Sequence, residues 1–150
     1  MKKTILLVVF LLISKHLIAQ EKSDFSMTFD HLALSVDNVD SSAEFYKSIL
    51  NLSEITNKTK IDGIRWFSLG HGKELHLISI VEGDITLNKG VHFAVTTSSF
   101  EAFIEKLTLS KINYSSWAGD NQKITIRADG VKQVYIQDPD GYWIEVNSVK

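Results

Sequence analysis

Three histidines and one glutamate stand out as residues that could do chemistry together: His31, His76, His92 and Glu145. Neutral imidazole and ionised carboxylate are both available near pH 7, and together they are a ligand set for a divalent metal ion. Glu145 is the most telling of the four. It lies in Gly141-Tyr142-Trp143-Ile144-Glu145-Val146, where strand alternation puts Trp143, Glu145 and Asn147 on one face and Tyr142, Ile144 and Val146 on the other. A carboxylate among large apolar residues is costly to bury unless a cation accompanies it. A lone histidine on a strand is usually structural or solvated, so the argument for a site must come from the four together.

An internal repeat brings them together. Asp30-His31-Leu32-Ala33-Leu34 matches Val91-His92-Phe93-Ala94-Val95 at an offset of 61. Gly72-Lys73-Glu74-Leu75-His76-Leu77 matches Gly141-Tyr142-Trp143-Ile144-Glu145-Val146 at an offset of 69. The second unit is therefore longer by 8 residues, which places an insertion around 118–130. His31 becomes equivalent to His92, and His76 to Glu145. All four lie opposite the aliphatic stripe of their strands.

The elements that must position them can be read in order. Phe29 to Val36 is a strand, and Ser41-Ser42-Ala43-Glu44 has the spacing of a capping box opening a helix that Asn51 ends in the left-handed conformation. Strands follow at Glu54 to Lys58, Ile64 to Leu69 and Glu74 to Ile80. After a linker at 82–90 the order restarts. Val91 to Thr96 is a strand, and Ser98-Ser99-Phe100-Glu101 caps a helix carrying a Phe100, Phe103, Ile104, Leu107 stripe. Strands are expected at Ile112 to Trp117, Val131 to Gln137 and Tyr142 to Ser148, with Lys123 to Arg127 as an extra strand or extension. Asp138-Pro139-Asp140-Gly141 suits a type I turn. The fold class is α+β: two tandem βαβββ modules, about 28–81 and 90–149, around a shared metal-containing cavity.

Strand parity also assigns a lining. Trp66, Ser68, Gln133, Tyr135 and Trp143 share the ligand faces, a mixture of aromatic and hydrogen-bonding groups that suits a small, partly apolar substrate or equally a packed core. Glu74 lies two residues before His76 on the same face and competes with it as fourth ligand. The repeat favours His76 and leaves Glu74 as a general base, an outer partner or a surface charge. His71, in a Gly-His-Gly turn, reads as solvated.

Residues 1–19 read as a secretory signal peptide: Lys2 and Lys3, nine apolar residues from Ile5 to Ile13, then Ala19 at the expected cleavage point. Nine residues are too few for a bilayer, which needs about 20, so no stable membrane anchor is expected after processing. Export to the periplasm or outside the cell follows. Processing removes Lys2, Lys3 and Lys15 and moves the net charge from −2 to −5. An acidic domain without a basic run is a poor nucleic-acid binder. With no cysteine there is neither disulfide nor thiol catalysis.

The strand His31-Leu32-Ala33-Leu34-Ser35-Val36, the Glu44-Phe45-Tyr46 helix and the ending Asp138-Pro139-Asp140-Gly141-Tyr142-Trp143-Ile144-Glu145 resemble the vicinal oxygen chelate superfamily, over residues 28–149. That superfamily includes glyoxalase I, extradiol dioxygenases, methylmalonyl-CoA epimerase and the fosfomycin and bleomycin resistance proteins. The resemblance implies paired modules around a Zn, Ni, Mn or Fe ion, with ligands at His31, His92 and Glu145 and a fourth at His76. Glyoxalase I usually has a glutamate at that fourth position, so standard glyoxalase chemistry here would need Glu74 or Glu145 as base. Three functions fit the resemblance. One is a glyoxalase-like isomerase or lyase that chelates vicinal oxygens. Another is an Fe(II) extradiol-type dioxygenase using a facial triad of His31, His92 and Glu145. The last is a non-catalytic, antibiotic-sequestering binding protein. The partner is a small molecule, and the modules can meet within one chain or across a homodimer.

Overall fold

The computed structural model describes residues 27–149 other than 82, 84 and 85, so the expected signal peptide lies outside the described residues. The first module runs β1 (His31–Ser35), α1 (Val39–Ser48), β2 (Ser53–Ile55), β3 (Ile64–Gly70) and β4 (Lys73–Ile78). The second runs β5 (His92–Thr96), α2 (Phe100–Leu109), β6 (Thr125–Ile126), β7 (Lys132–Gln137) and β8 (Trp143–Asn147). Each module forms a four-stranded mixed sheet, in the orders β1-β4-β3-β2 and β5-β8-β7-β6. The first and last strands of each module run parallel, and the other pairs antiparallel. The repeat is thus a repeat of topology, and the chain is α+β as its pattern indicates.

The helices begin where local chemistry allows, not where the sequence pattern put them. α1 is capped by Asn38, whose side chain accepts from the backbone N–H groups of Asp40 and Ser41, so the helix starts before the expected Ser41 box. Ser99, rather than Ser98, precedes α2 and makes no side-chain cap bond. Asn51 does take the left-handed conformation after α1, with φ 55°.

The stretch Ile112 to Trp117 is not a strand. Only Ser115 pairs with β7, exchanging two backbone hydrogen bonds of 2.9 Å with Tyr135. The chain then folds into a tight turn held by Ser116 and Asp120, and the edge of the sheet passes to the two-residue β6. The insertion therefore replaces a full strand with a short bridge and a loop.

The aliphatic faces of both sheets merge into one core. Leu34, Tyr46, Phe67, Leu75 and Leu77 from the first module join Phe100, Leu107, Val134, Ile136, Ile144 and Val146 from the second. Each such side chain contributes about 1.5–3 kcal/mol by leaving water. Polar contacts lock the junction. The Tyr46 hydroxyl donates to Asp138 at 2.7 Å, the Ser42 hydroxyl donates to Asp140 at 2.6 Å, and the Tyr142 hydroxyl donates to the Ser35 carbonyl at 2.9 Å. The modules meet through their helix-side faces; on the opposite faces Trp66, Gln133, Tyr135 and Glu145 are buried, while the β1 and β5 positions are exposed. Ala33 and Ala94, in the middle of β1 and β5 on those faces, are exposed.

Candidate metal-binding faces

Strand register puts the four expected ligands on these opposite faces in two pairs. His31 is paired in register with Glu74, and Ala33 with His76, so His31, Glu74 and His76 share one face with Trp66 and Ser68. In the second module His92 is paired with Trp143 and Ala94 with Glu145, on one face with Gln133 and Tyr135.

The first pair is a stack. The His31 and His76 rings lie 4.4 Å apart at 16°, and Trp66 covers the other side of His76 at 4.0 Å and 8°. The His31 Nδ1–H donates to the Asp30 carboxylate at 2.8 Å, which leaves the Nε2 lone pair free. The same contact holds Asp30 below the usual carboxylate range. His76 is held the other way round. Its Nε2–H donates to Glu74 at 2.9 Å, so its free lone pair is on Nδ1. Ser68 accepts from the Gly70 backbone N–H at 3.1 Å and so serves the turn after β3.

The second pair is built more tightly. The His92 Nδ1 lies 2.9 Å from the Lys89 carbonyl. A carbonyl only accepts, so Nδ1 carries the hydrogen and Nε2 presents its lone pair, the arrangement usual for a metal-binding histidine. That Nε2 is 3.6 Å from Glu145 Oε2. Two ligand atoms bound to one ion at about 2.0–2.2 Å sit roughly 3.0–3.5 Å apart, so a small closure would suit a shared ion. Glu145 is buried and fully oriented: Oε2 accepts from the Tyr135 hydroxyl at 2.5 Å and Oε1 from Asn147 at 2.9 Å. Gln133 donates to the Tyr135 oxygen at 2.8 Å and extends the chain. Burial, and then the Glu145 carboxylate, push the Tyr135 hydroxyl well above its ordinary pKa, which keeps it a neutral donor. Gln133 and Tyr135 thus orient a carboxylate, while Trp143 remains half-buried on the same face.

No hydrogen bond, ion pair or ring contact among the described residues joins the first pair to the second, and no three His, Asp or Glu groups gather there into a metal-holding cluster. Each half-site opens to solvent: the side chain of His31 is 43% exposed and that of His92 is 24% exposed. Three neighbours escaped the sequence pattern. Asp30 falls inside the expected Phe29 to Val36 strand, but the observed β1 starts after it. Trp117, whose ring lies 6.1 Å from His92, comes from the expected Ile112 to Trp117 strand that does not form, and Lys89 comes from the linker.

The model of the Glyoxalase/Bleomycin resistance protein/Dioxygenase superfamily matches residues 28–146. The chain belongs to this superfamily. Its members bind small-molecule substrates, typically hold a divalent metal and often dimerise. No curated protein matches the sequence. Solved structures with the same fold include Oxidase ChaP-H2 (TM-score 0.69, 19% identity, 84% of this chain and 96% of that chain). A glyoxalase-family protein from Bacillus anthracis is similar at TM-score 0.66 and 21% identity, covering 85% of this chain and 98% of that one. The lactoylglutathione lyase from Agrobacterium tumefaciens gives 0.63 and 19%, covering 82% and 94%. At these identities the likeness is one of fold.

Proposed function

We propose that this superfamily member is a metal-dependent enzyme that chelates two neighbouring oxygens of a small substrate for proton transfer of the isomerase or lyase type. The observation that carries this is the second half-site, where His92 Nε2 and Glu145 Oε2 are oriented toward each other 3.6 Å apart by partners that leave their lone pairs available. The first half-site, His31 and His76, supplies the remaining ligands from a second copy of the chain. The exposure of His31 and Ala33 on β1 and of His92 and Ala94 on β5 supports that arrangement, since a two-fold dimer would cover both at once.

A bound Zn, Ni, Mn or Fe ion would polarise the substrate oxygens and stabilise negative charge developing there. Glu145, fixed by Tyr135 and Asn147, serves as ligand. Glu74, on the same face as His31 and His76 and in contact with the His76 ring, would carry the proton. Trp66 and Trp143 wall the two half-sites.

Metal content of residues 20–150, purified anaerobically, tests this. About one ion per chain is expected. Glu145→Ala should weaken affinity beyond the roughly 10–100-fold that loss of an outer-shell partner costs, and His76→Ala less. A wild-type protein that neither contains metal nor takes it up on titration would refute the proposal.

The stacking of the His76 ring between His31 and Trp66 favours a second reading. If His76 stays in that stack and does not reach the ion, the ligands reduce to His31, His92 and Glu145, the facial triad of Fe(II) oxygenases. In that case His76→Ala leaves iron affinity unchanged, and the iron-loaded protein consumes oxygen with a catechol. Export is part of the proposal as well. Glutathione and coenzyme A thioesters are mainly cytoplasmic, so an exported enzyme would act on some other oxygen-bearing molecule.

A further inference from the structure

We propose that Lys89 forms an anion subsite beside the His92–Glu145 pair and takes the carboxylate of a small planar substrate. This extends the chelation reading above by naming what binds next to the chelated oxygens. Lys89 comes from the inter-module linker, yet its ammonium is held in a defined place. It donates to Ser115 Oγ and to the Ser116 carbonyl, each at 3.0 Å. It also lies 4.6 Å from the centre of the Trp143 ring and 5.4 Å from that of Tyr135. An ammonium has three donors, and these contacts occupy two. Among the described residues no carboxylate pairs with it. The nearby Asp120 is instead bonded by the Ser116 hydroxyl at 3.0 Å.

The ammonium faces a cavity of about 540 Å³. Its walls include Lys89, Lys111, Asn113, Asn121, Tyr135 and Trp143, and no Asp or Glu. Two cations and three amides, Gln137 being the third, without a counter-carboxylate suit an anion. Tyr135 and Trp143 add flat apolar walls against which a planar group packs well.

The cavity adjoins the half-site through shared residues. Tyr135 lines it while donating to Glu145, and its ring meets His92 edge-on at 5.3 Å. The backbone carbonyl of Lys89 itself fixes His92. One short segment therefore sets both the metal ligand and the charge beside it. An anion that occupies the third donor, with Trp143 or Tyr135 against its plane, would point the rest of the molecule along the sheet face toward His92 and Glu145.

Binding of benzoate to the protein as purified, followed by tryptophan fluorescence, tests the subsite without requiring chelation. Lys89→Met should weaken benzoate about tenfold or more, the size of one charge-assisted hydrogen bond. Lys89→Arg should hold it within a few-fold. The backbone carbonyl survives both changes, so metal content should not move. Binding of catechol to the Zn-loaded protein reads chelation separately and should be unchanged in Lys89→Met. 3,4-Dihydroxybenzoate, which carries both groups, should bind the wild type more tightly than catechol and lose that advantage in Lys89→Met. Failure of catechol alone would remove the chelation reading and leave the subsite standing on benzoate. The subsite is overturned if benzoate binds Lys89→Met as well as the wild type, if Lys89→Arg loses benzoate as fully as Lys89→Met, or if benzoate and catechol weaken together.

Discussion

Two chains that each lack half of the ligands should rebuild one metal site when paired. The first carries His31→Ala and His76→Ala, the second His92→Ala and Glu145→Ala. Each alone should bind no metal, because every site of its homodimer combines a wounded half with an intact one. In a heterodimer purified through two different tags, one site receives both wounded halves and the other both intact halves. The expectation is about one ion per heterodimer, half the wild-type content, as two-fold symmetry requires. The basis is the separation of His31 and His76 from His92 and Glu145 among the described residues, with His31, Ala33, His92 and Ala94 exposed. If a chain instead closes its own modules around the ion, every site in the heterodimer is damaged and no metal is recovered. Reconstitution thus separates the two arrangements that the linker at 82–90 permits.

The period-two alternation of β1, β4, β5 and β8 made the ligand faces legible, because register cannot slip by one residue without sending Leu34, Leu75, Ile144 and Val146 into water. The repeat then matched His31 with His92 and His76 with Glu145. Parity says which side of a sheet a residue takes. It says nothing of which sheet that side will meet, so the separation of the pairs could not be read from it. Asp30 and Trp117 fall inside expected strands but lie outside the observed ones, and Lys89 comes from the linker, so all three act through a loop's path. The early start of α1 is a local competition: Asn38 is as good a cap as Ser41, and its side chain satisfies two helix N–H groups at once. Ile112 to Trp117 had strand-like composition, but the Ser116–Asp120 turn removed the length over which a ladder could form.

Asp138→Ala should be the most damaging single change outside the hydrophobic core. Asp138 is 6% exposed and accepts three hydrogen bonds: from the Tyr46 hydroxyl at 2.7 Å, the Tyr142 N–H at 2.8 Å and the Asp140 N–H at 3.0 Å. Removing the carboxylate strands these donors, Tyr46 in a fully buried position, at a cost of about 3 kcal/mol or more. For a domain of this size that lowers Tm by roughly 10 °C. Tyr46→Phe removes only the donor to a buried carboxylate and should cost about 1.5–3 kcal/mol. Added to Asp138→Ala it should cost little more, since the two changes break the same bond. A double variant whose losses simply add would show that the pair is not a unit.

The charge on Asp138 gives a pH signature of defined sign. Burial is the main cause that raises its pKa in the folded protein, against the hydrogen bonds that lower it. A carboxyl group whose folded pKa is raised holds its proton in the native state after the unfolded chain has lost it. Its contribution therefore favours folding at low pH and declines as pH rises from the ordinary aspartate range through the raised value. Asp138→Asn keeps two acceptor contacts to the backbone and removes the titration. Denaturant midpoints measured across that window should fall less steeply with rising pH in Asp138→Asn than in the wild type. Parallel profiles would mean that the carboxylate is matched equally well by water and by Tyr46, and that the tie between α1 and the β7–β8 turn holds through packing rather than charge.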